Sequence, residues 1–162
     1  MAHVAFWLAI AAASGAGLLA GASLDQSVKQ LPARHRIGIA AYSAYSRASD
    51  LHHGIVLYGV LGVGAAAMAV AAAIAVHAAG LPSIPRRAAD LAAVFALLHS
   101  LMTAFAAPTL FSQRRALNDE LRLARIFDRF ERLQTVRVLL QITDFGLLLW
   151  LVVTLDGLRA ST

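Results

Sequence analysis

Four polar side chains follow one another at helical spacing near the end of the chain. They are Gln134, Arg137, Gln141 and Asp144, which lie three, four and three residues apart. This spacing places all four on one face of a helix. Because the surrounding residues are apolar and a carboxylate is costly to expose to lipid, we expect Asp144 to face the protein interior and to have a partner there.

A second group of polar residues lies in the middle of another apolar segment, at His99 and Thr103. Counting 1.5 Å per residue along two antiparallel helices puts Thr103 nearest the depth of Asp144 and His99 about one turn away. In a catalytic site, Asp144 would act as general base or proton carrier and His99 as acid, base or ligand, with Gln141 and Thr103 orienting the substrate. The alternative is a structural polar clasp between two helices, without turnover.

A third polar group, Arg47, Asp50, Gly54 and Tyr58, follows helical spacing where a connecting segment enters the second apolar run, with His53 beside it. These residues are predicted to line the mouth of a cavity that contains the polar groups around Asp144 and His99. The alternative is an interfacial belt, since Tyr, His and Arg favour that depth in a membrane. The predicted pocket residues are Gln141, Arg137, Thr103, Tyr58, Asp50 and His53.

Metal and haem sites are not expected. The chain has no Cys, which excludes thiolate metal sites and iron–sulfur clusters. It has six His, but a bis-His haem needs two of them at one depth, and His53, His77 and His99 fall at three different depths. No His-Glu-x-x-His motif, Gly-rich phosphate loop or nucleophile elbow occurs in the sequence. We therefore predict no metal and no cofactor.

The composition sets the class of protein that must position these groups. The chain has 162 residues, of which 59% are hydrophobic and 14% charged, against about 45–50% and about 25% in soluble domains. The mean hydropathy is +0.68. The net charge of +5 would suggest nucleic acid in a soluble protein, but the basic residues lie between apolar runs. We therefore predict an integral membrane protein that binds no nucleic acid.

Four apolar segments are long enough to cross a bilayer core, which needs about 20 helical residues. The sequence predicts one all-α domain over residues 1–162, an antiparallel bundle of four transmembrane helices. The first segment is interpreted as a span rather than a signal peptide because no Lys or Arg precedes it. The predicted spans are residues 4–24, 54–76, 91–111 and 138–155.

An amphipathic helix over about residues 113–135 is predicted before the fourth span, lying along the lipid headgroups. We expect Arg125, Arg129 and Arg132 on its polar face to bind anionic lipid. Its apolar face is predicted to hold Leu123, Ile126, Phe127, Phe130 and Leu133.

The basic residues also predict the orientation of the chain. Residues 25–53 hold four of the 14 Lys and Arg, and residues 112–137 hold seven. Both connections are therefore expected in the cytoplasm and both termini outside it, in a bacterial inner membrane.

Small residues indicate where helices approach closely. Gly17 and Gly21 form a GxxxG in the first span, and Gly54, Tyr58 and Gly62 follow one face of the second. Close backbone approach at such residues is a main source of helix association in lipid. We expect tight packing within the bundle, with homo-oligomerisation through Gly17 and Gly21 as the alternative.

Several short motifs resemble a known family. The first span ends in GLLAGASL, LPAR leads to YSAYSRASDLHHG, Thr103 and Pro108 end the third span, and Asn118 and Leu121 precede FERLQTVR, which ends at Arg137. In these features the chain resembles the anthrone oxygenase-like small membrane proteins, a family largely of unknown function. The resemblance implies a four-helix membrane bundle. It also implies oxygenase activity on polycyclic phenolic substrates without a recognised metal or flavin, with Asn118, Leu121 and Arg137 as shared elements.

The sequence thus favours a membrane-embedded pocket for a small apolar molecule, with oxygenase or oxidoreductase chemistry as its enzymatic form. The rival interpretation is a non-enzymatic membrane subunit or scaffold that binds anionic lipid or a partner membrane protein. A proton-coupled transporter is a third, although no inverted repeat or broken helix pair is evident.

Overall fold

The structure, a computed structural model, describes residues 1–160 and is helical throughout apart from short connections. The last two residues of the predicted domain lie outside the described part. Within it, 94% of residues are helical and no strand occurs. The helices are α1 Ala2–Asp25, α2 Leu31–Ile37, α3 Ile39–Ala48, α4 Gly54–Ala78, α5 Ser83–Phe111 and α6 Glu120–Ala160.

These helices combine into four long stretches, each apolar and long enough to cross a membrane: Ala2–Ile37, Ile39–Ala78, Ser83–Arg115 and Glu120–Ala160. Two of the three breaks occur at glycines with a positive φ. Gly38 separates α2 from α3 at a φ of 85°, and Gly80 separates α4 from α5 at a φ of 60°. Both values lie in the left-handed region, which side chains disfavour.

Two apolar clusters hold the helices together. The larger joins α1, α4, α5 and α6 and is built mainly of alanine, for example Ala9, Ala12 and Ala72, with Leu148 and Leu151 from α6. Such small side chains let the helix backbones approach closely. The smaller cluster joins α2, α3 and α5 to the first half of α6 through larger side chains, among them Tyr42 and Phe127.

The predicted boundary between an amphipathic helix and the fourth span is absent. A 3₁₀ turn covers Ser112–Arg115, and α6 then runs unbroken from Glu120 for 41 residues, because no Gly or Pro interrupts residues 120–145. At 1.5 Å per residue α6 is about 60 Å long. Its first half and the predicted fourth span therefore form one helix, and the predicted amphipathic helix is not a separate element.

The apolar face of this first half is covered by protein. Leu123, Phe127 and Phe130 are buried in the smaller cluster, and the Phe127 ring packs edge-on against Tyr42, 4.9 Å between centroids. These three side chains are therefore covered by protein, since α2 and α3 fold back over them. Helical periodicity identified the apolar face correctly but could not name its cover.

A buried arginine fixes this cover in place. The Arg34 side chain on α2 is 4% exposed and pairs with two carboxylates of α6, Asp128 at 3.0 Å and Glu131 at 2.5 Å. Its Nη1 also donates to the Leu31 carbonyl. From the sequence, Arg34 contributes only to the predicted orientation of the chain. Its role in packing α2 against α6 was not predicted.

The GxxxG of α1 is used partly inside the bundle. A Cβ built on Gly17 would lie 2.9 Å from the Phe145 ring of α6, whereas one on Gly21 meets nothing within 4 Å. Gly17 therefore serves packing within the chain. Gly21 is exposed, and oligomerisation through this motif stays a prediction.

Candidate functional site

A cavity of about 290 Å³ lies between α4 and α5, with α6 behind it. Its wall is mostly apolar, and its polar groups come from different helices, with His99 and Thr103 on α5 and Arg137 on α6. Leu110, Phe111 and Phe130 contribute large apolar side chains. The remaining lining residues are Gln26, Asp50, Leu51, Gly54, Ile55, Tyr58, Gly59, Gly62, Val63, Ser100 and Ala107.

Gly59 and Gly62 on α4 leave part of this space open, whereas a Cβ on Gly54 would lie 2.9 Å from the Ser49 carbonyl oxygen. Gly54, Gly59 and Gly62 all line the cavity. A Cβ on Gly59 would meet nothing within 4 Å, and one on Gly62 would lie 3.9 Å from His99 Cε1. The predicted tight packing at Gly62 is therefore wrong, since no helix backbone approaches it. The missing side chains leave room for a guest.

The cavity opens on the outer surface of the bundle. Ile55 and Val63 both line it, yet they are 42% and 72% exposed. Residues on the outer face of α4 therefore form its rim, and a molecule can enter from the side between α4 and α5.

His99 is held by two neighbours. It is 5% exposed, and its Nε2 lies 2.6 Å from Gln141 Nε2 and 3.3 Å from Thr103 Oγ1. Because an amide nitrogen donates, His99 Nε2 accepts from Gln141 in this arrangement. The one hydroxyl proton of Thr103 is donated to the His99 carbonyl oxygen, at 3.0 Å, so Thr103 Oγ1 lies beside Nε2 without donating to it. These contacts clasp α5 to α6 beside the cavity and fix the imidazole.

Arg137 is a buried cation without an acidic partner. It is 8% exposed, and its Nη1 donates to Gln134 Oε1 at 2.6 Å. Gln134 Nε2 in turn donates to the Ser23 carbonyl of α1, at 3.4 Å. The Arg137 Nε has no hydrogen-bond partner. The ion pairs within residues 1–160 join other residues.

Asp144 is also buried, at 5% exposure, but it does not line the cavity. Its Oδ1 has no hydrogen-bond partner among the described residues. The sequence placed Thr103 nearest the depth of Asp144 and left a pair between Asp144 and His99 open, whereas in the structure Gln141, one turn earlier, holds the imidazole. The face containing Gln134, Arg137, Gln141 and Asp144 is nevertheless buried along its whole length, as its spacing predicts.

The predicted mouth residues separate in the structure. Asp50 and Tyr58 line the cavity, and Asp50 accepts a hydrogen bond from Ser46 Oγ at 2.8 Å. His53 is exposed, packs against His52 with 4.2 Å between ring centroids, and does not line the cavity. Residues Ser49–His53 form a widened helical turn just before Gly54. This turn changes the helical register, so His53 does not share a face with Asp50 and Tyr58.

A polar network next to Asp50 was not foreseen. Gln113, after α5, accepts from Ser43 Oγ at 3.0 Å and donates to Ser46 Oγ at 3.2 Å. Arg47, placed by the sequence analysis at the cavity mouth, donates to Ser43 Oγ at 3.1 Å. The spacing of Ser43, Ser46 and Asp50 was the available signal, since it places three polar groups on one helical face.

The arginines of α6 border a second, open depression between α5 and α6. Arg122, Arg125 and Arg129 line it together with Phe105 and other α5 residues. Arg132 does not line it, and its Nε contacts the Asp128 carbonyl at 3.3 Å. Asn118 and Leu121, the elements that the family resemblance links to Arg137, are both exposed.

No group of three His, Cys, Asp or Glu side chains that could hold a metal ion occurs within residues 1–160. Comparison of the chain with family models, curated proteins and solved structures finds no match.

Proposed function

We propose that this chain is an integral membrane protein that binds a small, largely apolar molecule in the cavity between α4 and α5. The observation that carries the proposal is the cavity itself, apolar over most of its wall and polar at His99, Thr103 and Arg137. Binding sites for small molecules commonly combine an apolar wall with a few placed polar groups. The lateral opening suits a ligand that enters from lipid.

The proposed membrane arrangement is an antiparallel four-span bundle with both termini outside the cytoplasm. Contacts at the two ends of the molecule support it. Arg34 of the first connection reaches Asp128 of α6, which places the two Arg-rich regions at one end. Arg159 stacks on Phe6, 4.2 Å from the ring centroid, which brings the two ends of the described chain together.

The resemblance to anthrone oxygenase-like proteins adds an oxygenase or oxidoreductase reaction on the bound molecule to this proposal. His99 is then the acid–base group that meets the ligand, because it lines the cavity. Asp144, the other proposed catalytic group, lies on the same face of α6 as Gln141, which holds His99. Because Asp144 does not line the cavity, it would hold or release a proton on this face of α6 and would not touch the ligand.

The binding proposal is tested with dodecanol, a neutral molecule with a long hydrocarbon chain. The protein is placed in lipid nanodiscs so that no detergent chain competes, and empty nanodiscs measure the partition of dodecanol into lipid. We expect saturable binding of one dodecanol per chain above that partition. Uptake that stays proportional to lipid and does not saturate would contradict the proposal.

A second candidate function, binding of anionic lipid, is favoured by the depression between α5 and α6. Three arginines on its α6 side face apolar α5 residues. A phosphate can meet the guanidinium groups while acyl chains follow the exposed apolar surface at Leu101 and Phe105. This candidate does not need the α4–α5 cavity.

For this site we expect the double substitution Arg125→Gln and Arg129→Gln to weaken phosphatidylglycerol binding. Each charge near an anionic lipid contributes about 1 kcal/mol, so the loss should be roughly 30-fold. Native mass spectrometry that counts retained lipids measures it. The matched control is Arg86→Gln with Arg87→Gln, two exposed arginines near the start of α5. Equal losses in both double variants would contradict a lipid site at this depression.

A further inference from the structure

The buried guanidinium of Arg137 indicates the chemical class of the ligand. A charge removed from water costs several kcal/mol unless it is paired or hydrogen-bonded. Arg137 is 8% exposed. Its one side-chain hydrogen bond within residues 1–160 goes to a neutral group, Gln134 Oε1. The site therefore holds a positive charge that no acidic residue of the described chain offsets.

The hydrogen bonds of the Arg137 guanidinium leave one of its edges unpaired. Nη1 is occupied by Gln134 at 2.6 Å, and Nε is buried without a partner. Nε and Nη2 form the side-on fork of an arginine, which matches the two oxygens of one carboxylate. Arg137 lines the cavity, and its Nε is covered in this structure, so a carboxylate in the cavity reaches this edge once the guanidinium turns toward it.

The acidic residue that lines the same cavity does not compete for this position. Asp50 is engaged with Ser46 Oγ at 2.8 Å and lies at least 4.0 Å from any guanidinium nitrogen of Arg137, since the two form no ion pair. The imidazole of His99 is taken up by Gln141. One cation is thus available for one anionic group.

The rest of the wall sets the body of the ligand. Leu110, Phe111 and Phe130 surround the space, and the glycine face of α4 leaves it open toward Ile55 and Val63 at the rim. Hydrocarbon gains free energy on this wall in proportion to the apolar area that it buries. A second anionic group on the ligand would find no further Arg or Lys among the lining residues.

We propose that the ligand of this cavity is a monocarboxylic acid with a hydrocarbon body. Its carboxylate binds the Arg137 guanidinium, and its body extends along the glycine face of α4 to the lateral opening. This inference depends on the proposed function, because it assigns a head group to the molecule that the cavity binds. It makes Arg137 the residue that distinguishes acids from neutral analogues.

The test compares dodecanoate with dodecanol in the same nanodiscs, at a pH at which dodecanoic acid is ionised. A charged hydrogen-bonded pair should make wild-type protein bind dodecanoate about tenfold more tightly than dodecanol. Arg137→Gln should bind both probes alike and at the dodecanol level. Arg86→Gln, which removes an exposed arginine away from the cavity, should keep the wild-type preference.

The outcomes separate the two proposals. If wild-type protein binds both probes saturably with equal affinity, the carboxylate assignment is wrong and the proposed cavity function stands. If neither probe saturates, both are wrong. Should Arg137→Gln not fold, the comparison of the two probes on wild-type protein still decides. A preference that survives in folded Arg137→Gln would also overturn the assignment.

Discussion

Substitution of Gly59 by Leu should abolish saturable dodecanol binding and leave the protein folded. A Cβ at Gly59 meets no atom within 4 Å, and Gly59 lines the cavity, so the new side chain enters the space proposed for the ligand. The helix itself should gain up to about 1 kcal/mol, because Gly is a poor helix former. We therefore expect loss of binding without loss of melting temperature.

The matched control for this variant is Gly64→Leu. Gly64 is exposed on the same helix, its Cβ would also meet nothing within 4 Å, and it does not line the cavity. It has the same gain in helix propensity and adds the same hydrocarbon to α4. Binding retained in Gly59→Leu, or lost equally in both variants, would show that dodecanol binds elsewhere.

The contact between His99 and Gln141 should appear as a coupling energy between α5 and α6. Gln141→Leu leaves His99 Nε2 without its 2.6 Å neighbour, and His99→Leu leaves the Gln141 amide buried without one. Each single substitution should cost about 1–3 kcal/mol, since a buried polar group loses its partner. The double variant removes both groups and should cost less than the sum of the two.

The expected coupling is about 1 kcal/mol, within the range measured for interhelical hydrogen bonds in membrane proteins. Reversible unfolding in mixed micelles gives the four free energies of unfolding that the cycle needs. Thr143→Val serves as the control partner for His99→Leu, because Thr143 is exposed and bonds to its own helix at Leu139. Coupling as large with Thr143 as with Gln141 would contradict a direct His99–Gln141 interaction.

Much of the architecture could be predicted because it follows from hydropathy and helical spacing. All-helical structure and four long apolar helices were expected and are confirmed. The burial of Gln134, Arg137, Gln141 and Asp144 follows from their spacing on one face. The order of the charged and apolar residues along the chain contains this information directly.

The pairing within the site could not be predicted, because the depth at which two helices meet depends on packing along their whole length. One turn is about 5.4 Å, and an error of that size exchanges Asp144 for Gln141 as the neighbour of His99. The partners of Arg34 were also out of reach, since Asp128 and Glu131 lie 94 and 97 residues away along the chain.

The glycines of α4 show a further limit. A glycine on a helix face is compatible either with close approach of a neighbouring helix or with an unfilled space. Close approach was the prediction from the sequence. Gly17 does contact Phe145, whereas Gly59 and Gly62 border a cavity. The difference arises from how far α5 stands from α4, which depends on packing elsewhere in the bundle.

Photolabelling shows directly whether the space between α4 and α5 binds a small apolar molecule. A diazirine-bearing analogue of dodecanol is crosslinked to the protein in nanodiscs, with and without excess dodecanol, and the adducts are mapped by peptide mass spectrometry. We predict adducts on residues 54–63 and 99–111 that excess dodecanol suppresses. Adducts spread over exposed positions away from the cavity, such as Met68 and Trp150, and unaffected by excess dodecanol would contradict binding in this space.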